Sequence, residues 1–257
     1  MDLGLVLSGG GARGIAHIGA LQVFREKGIE PDILAGTSSG ALVAALYAFG
    51  MEPEEILDFV KETEIFSLRK YALNKPGFVD TEKFYDRFLS SFSEDDFSVL
   101  NTPILVTATN LLTGEPVVFS EGELIRPILA SAAFPGVFAP VKIGNSYFVD
   151  GGVLNNFPVD LVTGRCEKII GSYVNPFEKR DYKDFKHSLS VLERAYQIRA
   201  SRDSLAKFKN CTLVISPSGL KRFNIFNLKD LDTIYQLGYE ATLRALEAWP
   251  DGFPRRK

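Results

Sequence analysis

The first fifty residues switch twice between a short apolar run and a longer helical pattern. Leu3 to Leu7 is an apolar stretch of strand length, and Ser8-Gly9-Gly10-Gly11-Ala12-Arg13-Gly14 follows at once. Ile15 to Lys27 then has helical composition and stops at Gly28, a residue suited to the left-handed position that closes a helix. Pro31 and Asp32 lead into a second strand, Ile33 to Ala35. A run rich in Ala and Leu begins just after Ser38 and continues to about Phe49, closed by Gly50. A β-α-β-α order within so short a span predicts a parallel sheet covered by helices.

The rest of the chain keeps this rhythm. Pro53 suits the first position of a helix that continues to Lys61 with Ile56, Leu57 and Val60 facing inward. Ile65 to Leu73 is apolar, aromatic and basic without clean periodicity, and Asp80 or Thr81 can cap a helix carrying Phe84, Phe88 and Leu89. Pro103 to Asn110 predicts a third strong strand, turned by Thr113-Gly114 into a fourth, Val117 to Ser120. Leu124 to Ala132 reads as helical, with Pro127 near its first turn. Val137 to Ile143 and Tyr147 to Val149 read as short strands joined through Gly144-Asn145. Two further strands are expected at Lys168 to Val174 and Thr212 to Ser216, with a long helix, Leu189 to Phe208, between them. A last helix spans about Leu228 to Trp249. No linker and no internal repeat divides the chain, so residues 1–257 read as one domain.

Composition narrows the function classes. At 46% hydrophobic and 24% charged the chain is ordinary for a soluble globular protein, and a net charge of −3 does not suggest a nucleic-acid binder. Cys166 and Cys211 offer neither a disulfide framework nor metal-ligand spacing, and they fit a reducing compartment. Asp2 stands second and the first apolar run ends at Gly9, which is no secretory signal. No stretch reaches the ~18 apolar residues of a membrane span. The expectation is a soluble, cytoplasmic protein.

Gly36, Ser38 and Gly40 satisfy G-x-S-x-G, between an apolar run and a small-residue helix. That pattern sets a serine on a strained strand-to-helix turn with its hydroxyl exposed, and the helix N-terminus favours a developing anion. Ser39 shares the turn, but only Ser38 has glycine at both flanking positions. Acyl transfer also needs a base and oxyanion donors. Of the two histidines, His17 falls about one turn into the first helix and reads as a packing residue. His187 lies in a polar stretch with nothing to aim it at a site. A carboxylate can serve instead if its surroundings raise its basicity. Asp150 is best placed, where Phe148-Val149 ends and Gly151-Gly152 lets the backbone turn; the alternative is a simple Asp-Gly hairpin. Asp32 begins the strand whose far end carries Ser38, which puts it at the opposite sheet edge. Gly9, Gly10 and Gly11 are the candidate backbone donors, and Arg13 can add charge-assisted bonds. Gly9, Gly11 and Gly14 also fit a dinucleotide fingerprint, but the acid it requires at the end of the second strand is replaced by Gly36-Thr37-Ser38.

With these residues in place, the chain resembles the patatin-like phospholipase family. The resemblance runs through Gly9 to Gly14 with Arg13, Ala16-His17-Ile18-Gly19, Gly36 to Gly40, Ala130 to Val141 and Val149 to Val159. It covers residues 1 to about 165, and these motifs together are highly specific. It implies a three-layer α/β/α fold with a mostly parallel central sheet, related to α/β-hydrolases. It also implies a Ser-Asp dyad of Ser38 and Asp150, an oxyanion hole from Gly9 to Gly11 with Arg13, and supporting roles for Gly14, Gly36, Gly40, Gly151 and Gly152. A lipid ester substrate is implied, with neither cofactor nor metal. Ser8 stands where the family's loop often opens with Asp, at little cost because the backbone supplies the donors. Nothing comparable anchors residues 165–257. The alternatives are an acyl-binding scaffold without catalysis and, less well supported, a dinucleotide-binding oxidoreductase. Ile65 to Leu73 can form a lid, and nine Lys/Arg against three Asp/Glu from Lys183 to Arg222 can attract anionic lipid in a transient membrane contact. For the first, burial by the rest of the fold is the preferred reading; for the second, a solvated face weighs as much.

Overall fold

The computed structural model describes residues 1–63, 84–177, 179–185, 188–226 and 229–249. In chain order its regular elements are β1 (Leu3–Leu7), α1 (Ile15–Lys27), β2 (Ile33–Thr37), α2 (Ser39–Phe49), α3 (Pro53–Thr63) and α4 (Tyr85–Leu89). They continue with β3 (Ile104–Asn110), β4 (Pro116–Phe119), α5 (Ile125–Ser131), β5 (Val141–Ile143) and β6 (Ser146–Asp150). The last are β7 (Lys168–Ser172), α6 (Ser188–Ala206), β8 (Leu213–Ile215) and α7 (Leu231–Glu247). The strands form one mixed sheet in the order β5-β6-β3-β2-β1-β7-β8, with β4 beside β3. From β3 through β8 the pairing is parallel; β4, β5 and β6 run antiparallel to their neighbours.

The antiparallel β4 and β5 are partly exposed, whereas strands β1, β2 and β3 are buried on both faces, as the parallel part of the sheet requires. Side chains alternate across it: Leu3, Leu5 and Leu7 of β1 join a large cluster with α1, α2 and α5, while Val6 joins a second one. That second cluster packs Val6, Ile33, Ala35 and Ile169 under Phe157, Val159 and Val162, where short 3-10 turns rather than a long helix supply the cover. Gly28 and Gly50 close α1 and α2 in the left-handed conformation, as their positions predict.

The register around β3 positions the site. Thr107 pairs with Thr37 of β2 on one edge and with Val118 of β4 on the other. Ala108 pairs with Val117 of β4 and with Asp150 of β6. Since β4 holds one edge throughout, β2 and β6 share the other. They run toward each other along it, so the last residues of both strands meet end to end.

Some boundaries differ from the sequence reading. Within Val137 to Ile143 only Val141–Ile143 is a strand; Val137 and Phe138 fold back onto the Phe134 carbonyl in a turn through Gly136. That turn drops both side chains into the core. Asp150 is followed by a 3-10 turn, Gly151–Val153, rather than the second arm of a hairpin. Ile65 to Leu73, the cap at Asp80 or Thr81, and His187 lie outside the described residues. Among the described residues no helix is long and apolar enough to cross a membrane.

Gly40 is the tightest point between α2 and the sheet, because a Cβ there would collide with the Leu7 and Ser8 carbonyls at the end of β1. Gly40→Ala is therefore expected to cost about 1–3 kcal/mol by overpacking. The check is a lower denaturation midpoint with an unchanged slope.

Candidate active site

Ser38 follows the last residue of β2 and caps α2, and it is the one non-glycine among the described residues with positive φ (55°, ψ −126°). Such a backbone costs energy and persists only where the surroundings impose it. Here the Ser38 amide donates to Ser131 Oγ at 2.8 Å, and its carbonyl accepts from Leu42 to start the helix. The Ser38 side chain and the Asp150 carboxyl line the same cleft, near enough that the hydroxyl helps to hold down the proton affinity of the carboxyl.

Asp150 is only 2% exposed. Its Oδ1 accepts from the Gly152 amide at 2.7 Å and from the Tyr196 hydroxyl at 3.3 Å. Burial pushes the carboxyl up to about 6, against the opposing pull of those donors and of Ser38. A carboxylate that loses its proton only near neutrality is a better proton acceptor than a solvated one. Backbone bonds fix its place as well, with the Asp150 amide on the Ala133 carbonyl and Thr109 Oγ1 on the Asp150 carbonyl.

The glycine loop after β1 forms the facing wall. Gly9 abuts the Ser38 side chain, and Gly9, Gly10 and Gly11 line a cleft together with Ser38, Asp150 and Tyr196. The Gly9 amide is taken by the Asn156 carbonyl at 3.0 Å, and Ala12 donates to Ile225 at 2.7 Å. Between them, the amides of Gly10 and Gly11 have no partner among the described residues. Arg13 does not line the cleft. It is 2% exposed and its Nε donates to the Phe223 carbonyl at 2.8 Å, so it ties the loop to residues 223–225 instead of facing the serine. Of the four expected oxyanion donors, then, the geometry leaves Gly10 and Gly11 available and gives Gly9 and Arg13 to the scaffold.

His17 is fully buried. Its Nε2 donates to the Ser8 carbonyl at 2.8 Å, which leaves Nδ1 to accept from Ser172 Oγ at 2.8 Å. That assignment needs a neutral ring, and burial lowers its proton affinity to about 4. It is a packing histidine, holding the loop to the sheet. Asp32 accepts from the Asp2 and Leu3 amides at the opposite sheet edge, so the loop lacks the ribose-binding acid of a dinucleotide site. Ser39 Oγ is buried against Gly14, without a hydrogen-bond partner among the described residues. Gly151 sits on the Thr107 carbonyl, where a side chain would not fit.

Several participants are invisible to the sequence reading. Ser131 and Asn156 fall inside stretches that carry the family resemblance, but nothing in the string singles out their side chains. Tyr196 and Gln197 come from α6 and had no signal at all beyond a helical pattern.

Residues 5–163 match the family profile of the Patatin-like phospholipase. An uncharacterized NTE family protein of Mycobacterium tuberculosis is 27% identical over 287 residues, which span 97% of this chain and 47% of that protein. Lysophospholipase nte1 of Aspergillus fumigatus is 30% identical over 277 residues, spanning 95% of this chain and 18% of that protein. This chain thus spans less than half the length of either relative. Among solved structures, VipD from Legionella pneumophila superposes with a TM-score of 0.56 at 17% identity, covering 96% of this chain and 67% of that one, and so shares the fold. On the matched profile and the shared fold, the chain belongs to the patatin-like phospholipase family.

Proposed function

We propose that this chain is a serine hydrolase of lipid esters in which Ser38 is the nucleophile and Asp150 the general base. The observation that supports this reading most is that Ser38 and the buried Asp150 line one cleft with Gly10 and Gly11, whose amides have no partner among the described residues. Asp150 takes the Ser38 proton as Oγ bonds to the ester carbonyl carbon. The carbonyl oxygen gains the negative charge and turns toward the Gly10 and Gly11 amides, with the Ser39 amide at the start of α2 as a third donor. As the tetrahedral intermediate collapses, the ester C–O bond breaks and protonated Asp150 returns the proton to the leaving alcohol. Water then attacks the acyl-serine as Asp150 again accepts a proton, and when the acyl C–Oγ bond breaks Asp150 returns that proton to Ser38 Oγ, releasing the acid and restoring the dyad. Arg13 and His17 act on the loop rather than on the reacting atoms.

Membership of a phospholipase family and the lysophospholipase name of one relative support (lyso)phospholipids or related lipid esters as the substrate class. A transient membrane-surface contact belongs to the same reading. The side chains of α6 that turn outward include Val191, Leu192, Ile198 and Leu205, each about half exposed, with Arg199 and Arg202 exposed between them. Apolar side chains flanked by arginine suit an interface with anionic headgroups.

Ser38→Ala and Asp150→Asn are each expected to abolish hydrolysis of short p-nitrophenyl esters and to keep the native circular dichroism spectrum. Fluorophosphonate labelling should disappear in Ser38→Ala. Full activity in either variant would refute the dyad. Because Asp150 must be charged to act, kcat/KM should climb as pH rises through about 6 and level off above it. Ile198→Asp is expected to weaken co-sedimentation with vesicles containing anionic phospholipid and to spare hydrolysis of a water-soluble ester; equal pelleting with neutral and anionic vesicles would exclude the lipid contact.

A further inference from the structure

The base of the proposed dyad is touched by a side chain from the part of the chain that the family profile does not cover. Tyr196 stands in the middle of α6, beyond residue 163, and its hydroxyl donates to Asp150 Oδ1 at 3.3 Å from the wall of the cleft. We infer that Tyr196 is a positioning residue for Asp150, a hydrogen-bond donor that holds the carboxylate toward Ser38 and favours its charged form. The inference rests on the reading of Asp150 as the base.

Three features of the surroundings support it. First, the Gly152 amide and the Tyr196 hydroxyl converge on the same carboxylate oxygen, so rotation of the group breaks two bonds at once. Second, the approach is built into the backbone, since a Cβ on Gly152 would collide with the Tyr196 hydroxyl. Third, the ring is clamped. It lies edge-on to Phe134 at 4.9 Å between centroids, and Phe134 in turn meets Phe226 at 5.8 Å. The helix that carries the tyrosine is anchored one turn earlier by Glu193, which is buried, accepts from Gln197 and Asn224, and lies in the field of Arg13 and Arg180.

The direction of the effect follows from the groups facing the carboxyl. These are the Gly152 amide from the turn after β6, the Ser38 hydroxyl from the elbow and the Tyr196 hydroxyl from α6. Asp150 and Tyr196 are the ionisable side chains that line the cleft; Glu193 and Arg13 do not line it. Burial and the charge of Asp150 push the tyrosine well above its ordinary value, so at working pH it is neutral and donates. A neutral donor stabilises the carboxylate against burial, and its removal moves the protonation of Asp150 to higher pH.

The test is Tyr196→Phe, which keeps the ring and removes the hydroxyl, read as a kcat/KM–pH profile on a soluble p-nitrophenyl ester. The acid limb is expected to move up by about one pH unit, as loss of one hydrogen bond to a charged group implies. KM should stay close to that of the unmodified chain, and the deficit should shrink as pH rises. The pH dependence of fluorophosphonate labelling, which reads attack by Ser38 alone, should shift the same way, and a thermal melt of the variant confirms that it is folded. Superimposable profiles, or a loss by the same factor at every pH, would overturn the inference. With Ser38→Ala and Asp150→Asn both inactive, either outcome removes the role of Tyr196 and leaves the dyad standing; activity in those two variants removes the dyad itself.

Discussion

The site depends on two strands meeting end to end on one edge of β3. β2 climbs that edge in parallel and stops opposite Thr107, while β6 descends it in the antiparallel sense and stops opposite Ala108. The hydrogen-bond ladder fixes the positions of both strand ends, so residues far apart in sequence are delivered to adjacent levels by backbone bonds alone. Ser38 and Asp150 are the residues at those ends. A one-residue slip of β6 would turn Asp150 to the other face of the sheet. The nearness of hydroxyl and carboxyl is thus a consequence of register, and side-chain packing has only to refine it.

Around that junction the protein tolerates local costs that the rest of the fold offsets. Ser38 holds a backbone conformation that side chains avoid, and Asp150 is a carboxyl buried without a cationic partner lining its cleft. Each is over-determined. Ser131 takes the Ser38 amide, and Gly40 lets α2 lie against the end of β1. Gly152, Tyr196 and Ser38 surround the carboxyl with donors. The loop after β1 is tied to the sheet by His17 and to the 223–225 segment by Arg13 and Ala12, and between these ties the Gly10 and Gly11 amides have no partner among the described residues. In the proposed mechanism these preorganised donors would stabilise an oxyanion without having to reorient during the reaction.

Helix α6 inverts the usual arrangement. Its buried side carries Glu193, Gln197, Ser201 and Ser204, and its exposed side carries Val191, Leu192, Ile198 and Leu205. The inner polar groups are partnered, with Gln197 and Asn224 donating to Glu193 and Ser204 to the Ala200 carbonyl, and the apolar residues fall to the outside. The helical stretch expected from Leu189 to Phe208 therefore marks where α6 lies along the chain and not which face meets the site.

Much of this was legible in the string. Buried parallel strands are apolar runs of recognisable length, Gly28 and Gly50 announce helix ends, and the strained turn at Ser38 requires the small neighbours that Gly36 and Gly40 supply. These are local constraints, written in neighbouring residues, and they determined the element order, the elbow and the two candidate side chains. Tertiary structure alone decided the rest. Whether Gly9 or Gly10 keeps a free amide depends on Asn156, and whether Arg13 faces the serine depends on Phe223, partners more than a hundred positions away. Tyr196 reaches Asp150 only because α6 is folded back over the cleft. Hydrogen bonds between distant segments leave no periodic mark on a sequence, since any helix with a tyrosine presents the same local pattern wherever it docks.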